Sequence, residues 1–94
     1  MPSQHDIIAK RIAKKYGVEY NPGNGPDIET PKMAIEVETA HTVSDGYRQL
    51  RGYRKPVYIA GTDDLATLSA LAATMDYSVG VMDQNGNIRR PSSR

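Results

Sequence analysis

The chain has 94 residues, and 12 Lys and Arg against 11 Asp and Glu give a formal net charge of +1 at pH 7. This length suits one small domain with a thin stability margin, and the near-neutral charge predicts no overall basic surface for nucleic acid. The chain has no cysteine, which excludes disulfides, zinc ribbons and cysteine nucleophiles. Oxygen atoms or histidine must therefore hold any metal ion.

No apolar run is long enough to span a membrane, and the first residues, MPSQHDIIAKR, are too charged for a signal peptide. We therefore expect a soluble, cytoplasmic protein with no membrane partner and no organic cofactor. Basic residues cluster locally, so nucleic-acid binding would depend on these clusters. The clusters are Lys10, Arg11, Lys14 and Lys15; Arg48, Arg51, Arg54 and Lys55; and Arg89, Arg90 and Arg94.

Hydrophobic periodicity and turn residues divide the chain into eight elements and an added edge strand. The predicted helices cover residues 5–16, residues 43–55 and a segment after a Thr62 cap. The predicted strands cover residues 18–20, 27–30, 33–39, 57–60 and 77–82, with an edge strand over 87–89 after the Asn85-Gly86 turn. We expect one α/β domain over 1–94, a mixed central sheet flanked by helices, and a frayed tail over 90–94.

The stripes on two of the predicted helices each have two possible roles. The third helix has an apolar stripe that we expect to lie in the core or in a dimer interface, formed by Leu65, Leu68, Leu71 and Ala72. The second helix has a basic stripe formed by Arg48, Arg51 and Lys55. This basic stripe is either a phosphate-contacting surface or a solvated face.

Three acids are expected to converge. A hairpin joining the strands over 27–30 and 33–39 places Asp27 beside Glu36 and Glu38, which are two residues apart and share one face. Carboxylates this close repel one another unless a cation lies between them. Mg²⁺ or Mn²⁺ would supply that cation, polarise a phosphate and lower the pKa of a bound water. The alternation alone fits a solvated edge strand, but its central position and the preceding Gly25-Pro26 favour a site.

Gly25-Pro26-Asp27, a nine-residue step and Ile35-Glu36-Val37-Glu38 resemble the PD-(D/E)xK nuclease superfamily, which includes restriction endonucleases and archaeal Holliday junction resolvases. The predicted element order is similar to the αβββαβ core of that restriction-endonuclease-like fold. The resemblance implies a Mg²⁺- or Mn²⁺-dependent DNA endonuclease. Asp27 and Glu36 would bind the metal, the backbone carbonyl of Val37 would join them, and Gln49 is similar to a Gln that several branches carry after the motif.

Glu38 departs from this pattern, because the superfamily usually has Lys at that position. A few restriction enzymes that resemble the pattern carry Glu there and remain active. The carboxylate can accept the proton of the attacking water or help to bind a second cation. Glu38 is therefore a general base, a second-metal ligand or the mark of a lost activity.

Accessory residues and partners complete the prediction. Glu19 is a further metal ligand if its strand runs beside Asp27, and His41 is either a proton carrier above the site or an ordinary loop residue. The residues expected to bind DNA are Lys10, Lys14, Arg48, Gln49, Arg51 and Lys55. We expect a homodimer, because one small subunit cannot enclose a duplex. The alternative is a catalytically inactive nuclease-fold module for DNA binding or assembly, with RNA processing as a third option.

Overall fold

The computed structural model describes residues 3–94. The helices are α1 (Gln4–Lys15), α2 (Val43–Leu50) and α3 (Asp64–Ala73). The strands are β1 (Ile28–Thr30), β2 (Met33–Glu38), β3 (Val57–Gly61), β4 (Gly80–Met82) and β5 (Ile88–Arg90). They form one sheet in the order β1-β2-β3-β4-β5, in which β2, β3 and β4 are parallel and both edge strands are antiparallel. The predicted α/β class and mixed sheet are confirmed.

The sheet separates two hydrophobic layers. Side chains of α1, including Ile8 and Ile12, pack on one face against Ile35, Val37 and Met82. Helices α2 and α3 cover the other face, where the buried residues are Ala34, Val43, Leu50, Val57, Ile59, Ala70, Val79 and Val81. Strand β3 is buried on both faces, as its continuous apolar run predicts. None of the helices within residues 3–94 is long and apolar enough to cross a membrane.

The segment that follows α1 forms no strand, although we predicted one over residues 18–20. The Val18 amide donates instead to the Ala13 carbonyl at 3.0 Å, so this segment still closes the end of the helix. Gly17 makes that reversal with a φ of 74°, a conformation that suits glycine. Within the described residues, two strands rather than three therefore lie between α1 and α2, and the predicted αβββαβ order is not reproduced.

Helix α2 ends at Leu50, earlier than the predicted residue 55. The chain then makes a turn in which the amides of Arg51 and Tyr53 donate to carbonyls of α2. Lys55 lies beyond the helix, and its Nζ donates to Glu29 Oε2 at 2.6 Å and to the Thr30 carbonyl at 2.9 Å. The basic stripe predicted on one helix face is therefore wrong, because Lys55 is bonded to β1 instead.

The face of α3 that packs on the sheet is not the predicted stripe, of which only Leu71 is partly buried against the core. Leu65 is 65% exposed and Leu68 is 60% exposed, whereas Ala66, Thr67 and Ala70 face the sheet. The close approach of the helix explains this, since a Cβ on Gly61 would lie 2.4 Å from the Thr67 amide nitrogen. Only small side chains fit between α3 and the sheet. The cap also differs from our expectation: Asp63 rather than Thr62 caps α3, accepting from the Ala66 amide at 2.8 Å.

The C-terminal segment forms the predicted hairpin. Gly86 adopts a φ of 76° and its amide donates to the Asp83 carbonyl at 3.0 Å, so that β5 returns along β4. We expected residues 90–94 to fray, but hydrogen bonds hold them. The Arg94 guanidinium donates to the carbonyls of Leu50 and Tyr53 and to Ser78 Oγ, at 2.6–2.8 Å.

Replacing Arg94 tests this anchor. We expect Arg94→Ala to lower the free energy of unfolding by about 1–3 kcal/mol, because it leaves partly buried acceptors without a donor. Urea denaturation measures the change. Arg89→Ala is the matched control, since Arg89 is exposed, and we expect a change within about 0.5 kcal/mol. Equal effects of the two substitutions would contradict the anchor.

Candidate metal centre

The Asp27 carboxylate lies where β1 stops pairing with β2. The last paired residues at this end are Ile28 and Ile35. Beyond them, the Val37 amide of β2 donates to Asp27 Oδ2 at 2.9 Å, and the Asp27 amide donates to Glu36 Oε1 at 3.1 Å. These two bonds bring Asp27 and Glu36 together, as the hairpin predicted.

The Val37 carbonyl points to the same side of β2 as the Val37 amide. The N–H and C=O groups of one strand residue point to the same side of the strand. Because the Val37 amide points at Asp27, its carbonyl also points toward the side where β1 has ended. The backbone groups of Glu38 point the other way, and its carbonyl accepts from the Thr62 amide at 3.0 Å.

Glu36 and Glu38 point to the face of the sheet that α2 covers, and their exposed fractions are only 3% and 7%. Burial raises the pKa of Glu36 to about 8, and the negative charges of Asp27 and Glu38 contribute to the increase. Burial also raises the pKa of Glu38, although a hydrogen bond from Thr42 opposes the change. Both carboxyl groups are therefore costly to ionise without a neighbouring cation.

Gly46 of α2 makes room for Glu38. A Cβ at this position would lie 2.6 Å from Glu38 Cγ, and 3.2 Å from Glu38 Oε1. Helix α2 therefore passes directly over the Glu38 side chain. Glycine inside a helix is normally unfavourable by about 1 kcal/mol relative to Ala, so here it is explained by the space that the buried acid needs.

His5 belongs to the same cluster, which the sequence reasoning missed. Its Nε2 lies 3.0 Å from Asp27 Oδ2, and it donates this bond because a carboxylate can only accept. The Tyr20 hydroxyl lies 3.5 Å from His5 Nδ1 and donates a hydrogen bond to Asp6 Oδ1 at 2.8 Å. The hydrogen bond from Tyr20 lowers the pKa of Asp6, and burial raises that of Tyr20 to about 12.

The carboxylates available to a metal ion at this position are those of Asp27 and Glu36. Within residues 3–94, no group of three or more His, Cys, Asp or Glu side chains is arranged to hold a metal ion. Mg²⁺, however, usually takes one or two protein carboxylates and keeps several waters. Asp27 Oδ1 and Glu36 Oε2 accept no hydrogen bond from the described part of the chain. These two atoms and the Val37 carbonyl are the oxygens that suit a hard cation.

The two accessory residues lie apart from this pair. Glu19 is exposed and lies in no strand, so the neighbouring strand on which its predicted role depended is absent. His41 is exposed in the loop after β2, where its amide donates to Thr39 Oγ1 at 3.3 Å. Neither side chain makes a hydrogen bond to Asp27 or Glu36 in the described structure.

Two open grooves border the loop that leads to Asp27. The larger, of about 780 Å³, lies between α1 and residues 17–22 and includes Lys10, Lys14 and Glu19. The smaller, of about 360 Å³, includes Gln49, Tyr53 and residues 23–25. Arg48 and Arg51 are exposed, and Arg48 forms an ion pair with Asp45. The structure thus places Lys10, Lys14 and Gln49 in grooves and the two arginines on open surface.

Substituting the two glycines of the α2 region tests the packing of Glu38. We expect Gly46→Ala to destabilise the protein by about 1–3 kcal/mol, because its methyl group overlaps Glu38 Cγ. Gly52→Ala is the control, since nothing lies within 4 Å of the added methyl. Chemical denaturation measures both, and adding Glu38→Ala to Gly46→Ala should recover part of the loss. A stabilising effect of Gly46→Ala would refute this explanation.

The raised pKa of Glu36 predicts a pH-dependent stability. The folded state binds this proton more tightly than the unfolded state, whose ordinary pKa is 4.5, so stability is lost as the pH rises to about 8. In EDTA, we expect the Tm to fall by roughly 5–10 °C over this range. In thermal melts, the Tm of Glu36→Gln should depend less on pH than the Tm of the unsubstituted protein. The Tm of Glu29→Gln, which replaces an exposed acid on β1, should keep the full pH dependence. Parallel profiles for all three proteins would contradict the expectation.

Comparison with known proteins gives no family for this chain. No protein-family model, curated protein or solved structure matches it. The chemistry of the site must therefore be inferred from the side chains themselves.

Proposed function

We propose that this chain is a metal-dependent DNA endonuclease that hydrolyses phosphodiester bonds. Asp27 and Glu36 hold Mg²⁺ or Mn²⁺ in this proposal, together with the Val37 carbonyl. The observation that supports it most is the direct tie between the two acids, in which the Asp27 amide bonds to Glu36 Oε1 at 3.1 Å. The third acid, Glu38, lies two residues along the same buried face.

The metal, when bound, would polarise a phosphate oxygen and lower the pKa of a water molecule. The residues of the chain have separate tasks. His5 and the Val37 amide fix the orientation of the Asp27 carboxylate, because both donate to Oδ2 and leave Oδ1 free. Glu38 accepts a proton from the attacking water or binds a second cation. Its raised pKa brings it closer to neutral pH, where a general base works best.

DNA binding in this proposal uses the basic residues on both sides of the loop before Asp27. Lys10 and Lys14 line the larger groove, and Gln49 lines the smaller one. Arg48 and Arg51 are exposed on the α2 side, where they would contact a phosphate backbone, Arg48 by exchanging its ion pair with Asp45. A homodimer with two sites is part of the proposal, because a duplex has two strands to cut.

Cleavage of supercoiled plasmid and branched DNA tests the activity. We expect nicking that requires Mn²⁺ or Mg²⁺ and is abolished by Asp27→Asn and by Glu36→Gln. Glu29→Gln is the matched control, because Glu29 is an exposed acid of the same hairpin that contacts Lys55. Absence of cleavage of duplex, single-stranded and branched DNA with either metal would refute the enzyme.

A second candidate is a non-catalytic module with the same fold that binds DNA or supports assembly. The observation that favours it is Glu38, an acid at the position where the resembled superfamily usually has Lys. Thermal melts with and without Mn²⁺ separate the two candidates. A rise in Tm that disappears in Glu36→Gln supports the metal centre. Salt-sensitive DNA binding without such a rise supports the module.

A further inference from the structure

The outer face of α3 is an exposed apolar stripe on the opposite side of the helix from the sheet. Its members, called here the outer stripe, are Leu65, Leu68, Ala72 and Met75. Leu65 is 65% exposed, Leu68 60% and Met75 72%. The inner face is apolar as well, so α3 has no polar side along most of its length. A helix of this kind is typical of a buried position.

The spacing of the outer stripe suits another helix. Its residues recur at steps of three, four and three, with Met75 in the turn directly after α3. These are the steps of the a and d positions of a heptad, through which helices pair side by side. Leu65 and Leu68 point outward while the small Ala66 and Ala70 face the sheet, which is the arrangement expected if a second helix covers the two leucines.

The charged residues that directly flank the outer stripe in the sequence are all acidic. Residues 56–88 contain no Lys, Arg or His, while Asp63 and Asp64 lie at the start of α3 and Asp76 lies just beyond its end. The next cations along the chain are Arg89, which is exposed, and Arg90, whose guanidinium donates to the carbonyls of Leu71 and Thr74 at 2.9 Å. The acids at the two ends of α3 therefore favour a partner with basic flanks.

A second copy of the chain is a poor match for this surface. Two α3 helices packed together, in either direction, would bring acids against acids at their ends. The basic helix α1 does not offer an apolar face either, because Ile8 and Ile12 are buried in its own core and only Ile7, at 43%, is exposed. Both sheet edges are strands of three residues, too short for extensive strand pairing.

We propose that the outer stripe docks an amphipathic helix of a partner protein. The partner helix has apolar residues at three- and four-residue steps and Lys or Arg on both sides of them. Its apolar residues cover Leu65, Leu68 and Met75, and its basic residues lie beside Asp64 and Asp76. This interface lies apart from the acids of the metal centre and does not depend on the nuclease proposal.

Two synthetic three-heptad peptides test the docking of such a helix. Both have Leu at the a and d positions; one has Lys and the other Glu at the flanking e and g positions. We expect the full chain to bind the Lys peptide about tenfold or more tightly than the Glu peptide, with the difference shrinking at high salt. Fluorescence anisotropy of the labelled peptides measures both affinities.

Surface variants identify the binding face. The double substitution Leu65→Gln with Leu68→Gln should abolish binding of the Lys peptide, and Asp64→Asn with Asp76→Asn should weaken it and reduce its salt dependence. Ile7→Gln is the matched control, because Ile7 is an exposed aliphatic residue on another helix. Circular dichroism melts should show that all variants remain folded, as expected for exposed positions.

Five results would overturn the proposal. Failure to bind the Lys peptide, or equal affinity for both peptides, would remove the predicted partner chemistry. Binding that survives the double Leu substitution would place the peptide elsewhere. Sedimentation showing a dimer that the same double variant dissolves would assign the outer stripe to a second copy. Binding to phosphatidylcholine vesicles that this variant loses would assign it to a lipid surface.

Discussion

The bond between the Asp27 carboxylate and the Val37 amide determines how the rest of the site is arranged. Strand β1 is only three residues long, so β2 would otherwise expose an unpaired amide beyond Ile35. The Asp27 carboxylate accepts from the Val37 amide, which would otherwise need a neighbouring strand. His5 on α1 donates to the same carboxylate oxygen. Asp27 thus links β2 and the first helix through its carboxylate, and it reaches the buried Glu36 through its backbone amide.

Much of the fold could be predicted from the sequence, because its main signals are local. The alternation in β2, the apolar run of β3 and the Asn85-Gly86 turn each determine their own backbone. Helix α3 shows the limit of such signals. Both of its faces are apolar, so periodicity locates a stripe without telling which side meets the sheet; the close approach at Gly61 decides that. Similarly, no local pattern shows that Val18 bonds back to α1 rather than joining a sheet.

The candidate site, like the fold, could be predicted only in part. The meeting of Asp27 and Glu36 follows from hairpin geometry, and the shared face of Glu36 and Glu38 follows from their spacing. The contribution of His5 could not be predicted, because His5 lies 22 positions before Asp27 in the sequence and only the packing of α1 brings them together. The need for glycine at position 46 could not be predicted either, because Glu38, the side chain for which it makes room, belongs to another element.

The turn between β1 and β2 has a consequence for how such a domain can change through evolution. Only Pro31 and Lys32 separate the two strands, and Thr30 Oγ1 accepts from the Lys32 and Met33 amides at 3.0–3.1 Å. Inserting or deleting one residue here would turn every side chain of β1 to the opposite face, and Asp27 would leave Val37. Replacing a turn residue leaves the register intact. Chain length in this turn is therefore under tighter restraint than its composition.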